Sequence, residues 1–331
     1  MERVKILLCS LVAVCMASVA VAQQREVEVV CHWGKISATM DVPVEGANTA
    51  VLIVAGSGPT DRHGNSAAGL STFSYKMLGE ALAEDGIAVM RYDKRAIGLS
   101  SIPAEDIPNL VFEDYIDDAR TCVEYLRSEG YERVVVAGHS EGGLIALALA
   151  AEDECCLDGV ALLCAPGYNM AEILNYQLSQ QLVPAYMGLM IKSTNIINTL
   201  KAGEMVAEAD IPKELMGLFH PTVQPFLISN MRYEPTALAA ECRVPMLVVS
   251  GGRDIQVSVS NGKRIHEAQP AAEHVVFENM THVLKDADTS DRMMQLMGVY
   301  TNANQPITEG LAAKIAEFIN NIKESIAYVT F

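Results

Sequence analysis

Basic charge is scarce in this chain: 24 lysines and arginines stand against 41 aspartates and glutamates, for a net charge of −17. That deficit excludes a nucleic-acid partner, because phosphate backbones demand clustered Lys and Arg. It disfavours an anionic membrane surface for the same reason. Long apolar runs are missing beyond the first residues, and no later segment offers the ~20 apolar residues of a membrane span. No C-x-x-C pair occurs, so the common zinc and thiol-redox spacings are absent. Internal repeats and low-complexity stretches are absent too. What is present is 331 residues, 50% hydrophobic and 20% charged, a globular composition with length for one large domain or two small ones.

Part of that hydrophobicity belongs to a leader. Met1-Glu2-Arg3-Val4-Lys5 is followed by an apolar run from Ile6 and by Ala20-Val21-Ala22 before Gln23. A basic start, an apolar stretch and small residues at −3 and −1 predict a signal peptide over residues 1–22, cleaved after Ala22. The mature chain is then expected to be exported, periplasmic or secreted, and not held at a membrane. Its oligomeric state leaves no mark in the sequence. Six of the eight cysteines follow the leader: Cys31, Cys122, Cys155, Cys156, Cys164 and Cys242. Export permits disulfides, but six cysteines allow 15 pairings, and buried thiols account for several of them equally well. No metal and no redox role is assigned.

Strands and helices alternate along most of the chain. Val51–Ala55, Ile87–Met90, Val134–Ala137, Val160–Leu163 and Met246–Val249 are short apolar runs bounded by Gly, Asp or Pro. Such runs suit strands buried on both faces of a parallel sheet. Helical patterns lie at Tyr75–Glu84, Glu113–Ser128, Glu141–Glu152 and Thr308–Ile326. The expectation is an α/β fold, a mostly parallel central sheet with helices on both faces. Alternation in Glu26–Val42 predicts an N-terminal β-hairpin within residues 23–46. From Ala165 to about Pro235 no core strand is evident, and a structureless loop of ~70 residues is improbable. Residues 165–235 therefore read as a helical cap insertion, between core segments 23–164 and 236–331.

The most informative stretch is Arg133-Val134-Val135-Val136-Ala137-Gly138-His139-Ser140-Glu141-Gly142-Gly143-Leu144. A strand runs into G-x-S-x-G, and an Ala/Leu-rich helix follows. A serine at such a sharp turn needs glycine at both ±2 positions, and the turn lifts its hydroxyl above the sheet. Ser140 is the candidate nucleophile. A serine nucleophile needs a base, and the base an orienting acid, in chain order Ser, Asp or Glu, His for this arrangement. Asp254 follows the strand that ends near Ser250, and His282 follows the candidate strand His274–Phe277. Both fall at the carboxyl ends of strands, where α/β sheets bind ligands. Asp254 is therefore the expected acid and His282 the expected base. Asp286 and Asp288 are runner-up acids but follow the histidine. His139 adjoins the nucleophile and is expected to point away from it; His32, His63, His220, His266 and His274 lie in the wrong order or on predicted helices, strands and loops.

These residues resemble the α/β-hydrolase superfamily, and more narrowly its secreted bacterial serine esterases, from about Ala50 to the C-terminal helix. Ala55-Gly56-Ser57-Gly58-Pro59-Thr60-Asp61-Arg62-His63-Gly64-Asn65 resembles the G-S-G-P-x-D-R-D-G-N segment of that group. Arg91-Tyr92-Asp93-Lys94-Arg95-Ala96-Ile97-Gly98-Leu99-Ser100 resembles its D-x-R-G-x-G-x-S turn. His63 stands where the group has Asp, and Ala96 where it has Gly. The resemblance implies that Asp61, Arg62 and Arg95 shape the site entrance, while the residues alone read equally well as an ion pair.

The early glycine loop follows the first buried parallel strand, so its backbone can face the nucleophile. The N–H groups of Ser57 and Glu141 are the expected oxyanion hole. Gly56-Ser57-Gly58 is no dinucleotide fingerprint, since position 61 is Asp and no helix follows directly; His266-Glu267 opens no zinc-protease motif, since position 270 is Pro. No cofactor is expected. Met170, Met187, Met190, Met205, Met216 and Met231 in the insertion are read as packing, with an adaptable acyl site as the alternative. The function these observations support is serine carboxylester hydrolysis through an acyl-enzyme, on small or medium acyl esters as small-molecule substrates. A serine peptidase or aminoacyl amidase, a thioesterase, and a binding module on an inactive scaffold are the alternatives.

Overall fold

The structure, a computed structural model, describes residues 23–152, 156–181 and 187–327. The expected leader, residues 1–22, lies outside them. Strands β1 (Gln23–Cys31) and β2 (Gly34–Val42) form the antiparallel hairpin, closed by His32-Trp33. The remaining main-sheet strands are β3 (Thr49–Val54), β4 (Ala88–Tyr92), β5 (Arg133–His139), β6 (Gly159–Leu163), β7 (Met246–Gly251) and β8 (Glu273–Phe277). They lie in the order β1-β2-β4-β3-β5-β6-β7-β8. Every pairing from β4 to β8 is parallel, and β2 runs antiparallel to both its neighbours.

The helices, in chain order, are α1 (Ser74–Glu84), α2 (Phe112–Ser128), α3 (Glu141–Ala150), α4 (Met170–Gln181), α5 (Met187–Lys201), α6 (Met216–Phe219), α7 (Gln224–Asn230), α8 (Pro235–Glu241), α9 (Val259–Ala268), α10 (Arg292–Gly298) and α11 (Leu311–Ala327). Alternate strand residues feed two separate cores, because side chains in a strand point to opposite faces. Ala50, Leu52, Val54, Val134 and Val136 pack with α2 and α3 on one face. Val51, Ile53, Val135 and Ala137 pack with α1 and α11 on the other. Continuous apolar runs are what such two-sided burial requires. Helix α3 is apolar on every side, and all ten of its residues are buried, the signature of a helix enclosed in the core. It ends at Ala150, two residues before the expected boundary.

Between β6 and β7 the described residues hold only helices. Leu174, Ile196, Ile197, Leu200, Phe219 and Ile228 form an apolar cluster separate from the sheet cores. Asn169, 1% exposed, joins the two ends of this segment: its Nδ2 donates to the carbonyls of Met231 and Tyr233 and to Glu234. Met231 is buried, and Met170 and Met216 pack against the same cluster. Met187 and Met205 are exposed, so the packing expectation does not hold for them. Among the described residues no helix is long and apolar enough to cross a membrane.

The turn after β4 folds around one carboxylate. Asp93 accepts from the backbone N–H of Arg62 and of Leu99, each at 2.9 Å, and from Arg62 Nη2 at 2.8 Å. Burial alone raises a carboxyl, but the Arg62 guanidinium and these N–H groups hold Asp93 below its ordinary value. Within this turn Ala96 has φ 67°, a left-handed conformation that costs a residue with a Cβ about 1–2 kcal/mol. Ala96→Gly is expected to stabilise the protein by about 0.5–1 kcal/mol once the glycine's greater unfolded entropy is set against the relieved strain. Guanidinium denaturation checks this, and an unchanged or lowered midpoint contradicts it.

Candidate active site

Ser140 sits where β5 ends and α3 begins, with φ 53° and ψ −122°. The neighbours leave no room for side chains at the flanking glycines. A Cβ on Gly142 would stand 2.2 Å from the Val54 carbonyl oxygen, and one on Gly138 2.2 Å from that of Gly142. The Ser140 N–H donates to the Leu163 carbonyl at 2.9 Å, which ties the turn to β6.

The loops after β7 and β8 bring two further groups to this point. His282 Nε2 lies 3.0 Å from Ser140 Oγ, and His282 Nδ1 lies 2.8 Å from Asp254 Oδ2. The other carboxylate oxygen accepts from the N–H groups of Gln256 and Val257 at 2.7 and 2.8 Å, so the acid is clamped from both sides. The side chains of His282 and Asp254 are 7% and 0% exposed. Because a carboxylate only accepts, Nδ1 of His282 carries the proton and Nε2 is free to accept from the serine hydroxyl. The histidine's own turn is fixed by Thr281, whose N–H and hydroxyl both donate to the Lys285 carbonyl at 2.8 Å. Asp286 is engaged elsewhere, accepting from the Thr308 hydroxyl.

His139 has a position that the sequence pattern did not disclose. Its Nε2 donates to the His282 carbonyl at 2.7 Å, its Nδ1 accepts from the Tyr75 hydroxyl at 2.7 Å, and Tyr75 Oη accepts from the Gly56 N–H at 3.2 Å. The ring turns away from Ser140's hydroxyl and lies 4.8 Å from the His282 ring. One hydrogen-bonded chain therefore links the glycine loop to the backbone of the base. Burial, reinforced by the neighbouring His282, lowers the His139 pKa to about 3, so it stays a neutral spacer. A Tyr in α1 and a His inside the strand give no local signal; only the fold makes them neighbours.

Cys164, read from the sequence only as one of six cysteines, lies beside the site. It is buried and follows β6, and burial beside the Asp254 carboxylate pushes its thiol well above the ordinary value. Ligand-type atoms of Cys164, Asp254 and His282 lie within 4.8 Å of one another, yet a cation there must break the His282–Asp254 bond. Cys31, Cys122 and Cys156 lie apart from this cluster as unbridged thiols.

The expected entrance residues divide differently. Arg62 is 4% exposed and is bonded to Asp93, Glu26 and Thr39. Arg95, also 4% exposed, is bonded to Asp114 and Asp118, with its guanidinium carbon 4.8 Å from the centre of the Trp33 ring. Both guanidinium groups are thus held in internal ion networks, the ion-pair reading rather than the entrance one. The Asp61 carboxylate accepts from the N–H groups of His63 and Asn65 and shapes its own loop. His63 accepts from Arg91 Nη1 at 2.9 Å, and burial together with that guanidinium lowers its pKa. The Ser57 backbone lies on the exposed glycine loop, and Glu141 opens α3 with its side chain buried.

Residues 68–286 match the family described as serine aminopeptidase, S33. The esterase EstD of Thermotoga maritima is 26% identical over 257 residues, 76% of this chain and 58% of that protein. The chain thus spans little more than half the length of this curated relative. Among solved structures, the Pyrococcus furiosus esterase Pf2001 has a TM-score of 0.57 at 18% identity, with 91% of each chain covered. Est1E of Butyrivibrio proteoclasticus with ferulic acid bound scores 0.56 at 16% identity, covering 91% of this chain and 99% of that one.

The buried imidazole of His139 links the site to stability. It takes its proton at about 3 when folded and at 6.5 when unfolded. Between those values the unfolded chain holds the extra proton, so stability falls as pH falls. From pH 7.5 to pH 5 the native protein is expected to lose about 2 kcal/mol more than His139→Gln. Denaturant titrations at the two pH values measure this, and equal losses contradict it.

Proposed function

The chain belongs to the serine aminopeptidase S33 family of α/β-hydrolases, and on that premise we propose that it is a serine carboxylester hydrolase acting through an acyl-enzyme on small or medium acyl esters. The observation that carries this reading is His282 placed between Ser140 Oγ and Asp254 Oδ2 at 3.0 and 2.8 Å. His282 takes the Ser140 proton as the oxygen attacks the ester carbonyl, and Asp254 stabilises the imidazolium that forms. The tetrahedral oxyanion rests on the N–H groups of Ser57 and Glu141, the latter unpaired within the first turn of α3. His282 then returns the proton to the leaving alcohol and activates the water that frees the acid. The insertion over residues 165–235 is part of the proposal as a helical cap on the hydrolase core.

The names of the relatives, esterases from Thermotoga maritima and Pyrococcus furiosus, support ester over amide chemistry. The family's description supports the second reading, an aminopeptidase or aminoacyl amidase. Turnover of p-nitrophenyl acetate and butyrate beside aminoacyl p-nitroanilides separates them: ester turnover with little amide turnover supports the first, and the reverse overturns it. Ser140→Ala is expected to lower ester turnover by about 10⁴-fold or more with the circular dichroism spectrum unchanged; retained turnover removes Ser140 from the nucleophile role.

Export is part of the same proposal and is supported by the basic start, the apolar run and Ala20-Val21-Ala22. N-terminal sequencing of protein recovered outside the cytoplasm is expected to begin at Gln23; a mature chain beginning at Met1 contradicts cleavage.

A further inference from the structure

Lys94 lies two residues past the end of β4, in the turn that Asp93 organises. Its side chain is 2% exposed and Nζ stands 3.8 Å from Glu141 Oε1, whose side chain is 4% exposed. Nζ also donates to the Gly56 carbonyl oxygen and lies 5.3 Å from the centre of the Tyr115 ring. A buried ammonium is costly unless charge and dipoles surround it. A carboxylate, a carbonyl and an aromatic face do so here. Stability alone does not call for this arrangement, since an apolar pair of similar volume is often as stable or more so. The positions of the two acceptors supply another reason.

The Gly56 C=O and the Ser57 N–H belong to one planar trans peptide unit, so a partner that fixes the carbonyl direction aims the N–H the opposite way. Gly56 lies directly against the nucleophile: a Cβ there would stand 3.0 Å from Ser140 Cβ. The Gly56 N–H is independently held by Tyr75 Oη at 3.2 Å, so both peptide units of this residue have fixed partners. The second acceptor, Glu141, is the residue whose own N–H opens α3 directly after Ser140. One buried cation therefore reaches both residues whose neighbouring peptides carry the proposed oxyanion donors.

We propose that the buried Lys94–Glu141 pair is a positioning device for the oxyanion hole: Lys94 holds the Gly56–Ser57 peptide so that the Ser57 N–H faces the acyl oxygen, and anchors Glu141 beside it. The proposal rests on the serine-hydrolase reading above. Lys94 touches no reacting atom and acts through the peptide it grips. Its charge also polarises that amide and strengthens the N–H as a donor. Donors preorganised in this way act on the transition state rather than the ground state.

The test uses the full mature chain, p-nitrophenyl butyrate and phenylboronic acid, which forms a tetrahedral adduct on an active serine. Lys94→Met is expected to lower kcat about 10- to 100-fold with KM changed less than about threefold, and to weaken boronate inhibition in parallel with kcat. The double variant Lys94→Met/Glu141→Met is expected to regain the wild-type melting temperature and to keep the kcat defect; it also serves if Lys94→Met fails to fold. A kcat within about threefold of wild type in Lys94→Met, or a double variant that recovers kcat together with its melting temperature, overturns the proposal. Failure of the underlying reading is seen separately, as wild-type protein without ester turnover or with turnover that Ser140→Ala leaves intact.

Discussion

At Ser140 the chain passes from β5 into α3 through φ 53° and ψ −122°, dihedrals that a residue with a Cβ keeps only where the surroundings hold it. What holds it is the sheet. The turn is pinned to β6 by the Ser140 N–H and pressed so close to β3 that Gly142 leaves no space for a Cβ beside Val54 O. Without strands buried on both faces, nothing would confine the turn. With them, the hydroxyl stands at the strand ends, where the loops carrying Asp254 and His282 also arrive. The strain at one residue is therefore a property of the whole sheet.

Charge follows a similar logic. The chain is short of basic residues overall, yet Arg62 in the glycine loop and Arg91, Lys94 and Arg95 around the end of β4 are all buried, opposite Asp93, Asp41, Glu141 and Asp118. Buried pairs of this kind add little net stability compared with apolar packing, but losing one partner strands the other at a cost of about 3–5 kcal/mol. They fix geometry more than they add stability. Arg62 and Asp93 tie the glycine loop to the turn after β4, and Lys94 ties that turn to Gly56 and Glu141. The acidic surplus is left for the surface, where it favours solubility.

Local pattern carried much of the architecture. Apolar runs such as Val51–Val54 and Val134–Ala137 lie in strands, and their alternate residues divide between two cores as a doubly covered sheet demands. The G-x-S-x-G stretch marked the turn, because the need for glycine at ±2 is a short-range steric fact. Legibility failed where partners lie far apart in the chain. His139 read only as a residue pointing away from the nucleophile, and nothing local showed that its ring bridges Tyr75 and the carbonyl of His282, 143 positions away. For Arg62 and Arg95 the entrance role implied by the resemblance and the ion-pair reading stood level, because nothing local shows that Asp93, Asp114 and Asp118 face them. Met187 and Met205 read as packing because residue type does not reveal that one opens α5 at an exposed position and the other lies in the exposed segment after it.

The sequence by itself determined the main strands and four of the helices around them, the steric requirement at Ser140, and the presence of an acid and a base after strands. These follow from side-chain periodicity and from backbone conformations that few residue types tolerate. Only the tertiary structure decided that Ser140, His282 and Asp254 stand within 3.0 Å contacts in series, that Tyr75 and His139 hold the base from behind, and that Lys94 reaches Gly56. Hydrogen bonds and ion pairs act over a few ångströms in space, whereas sequence records only distance along the chain. Residues that meet across 38 or 143 positions become neighbours only once the sheet has formed.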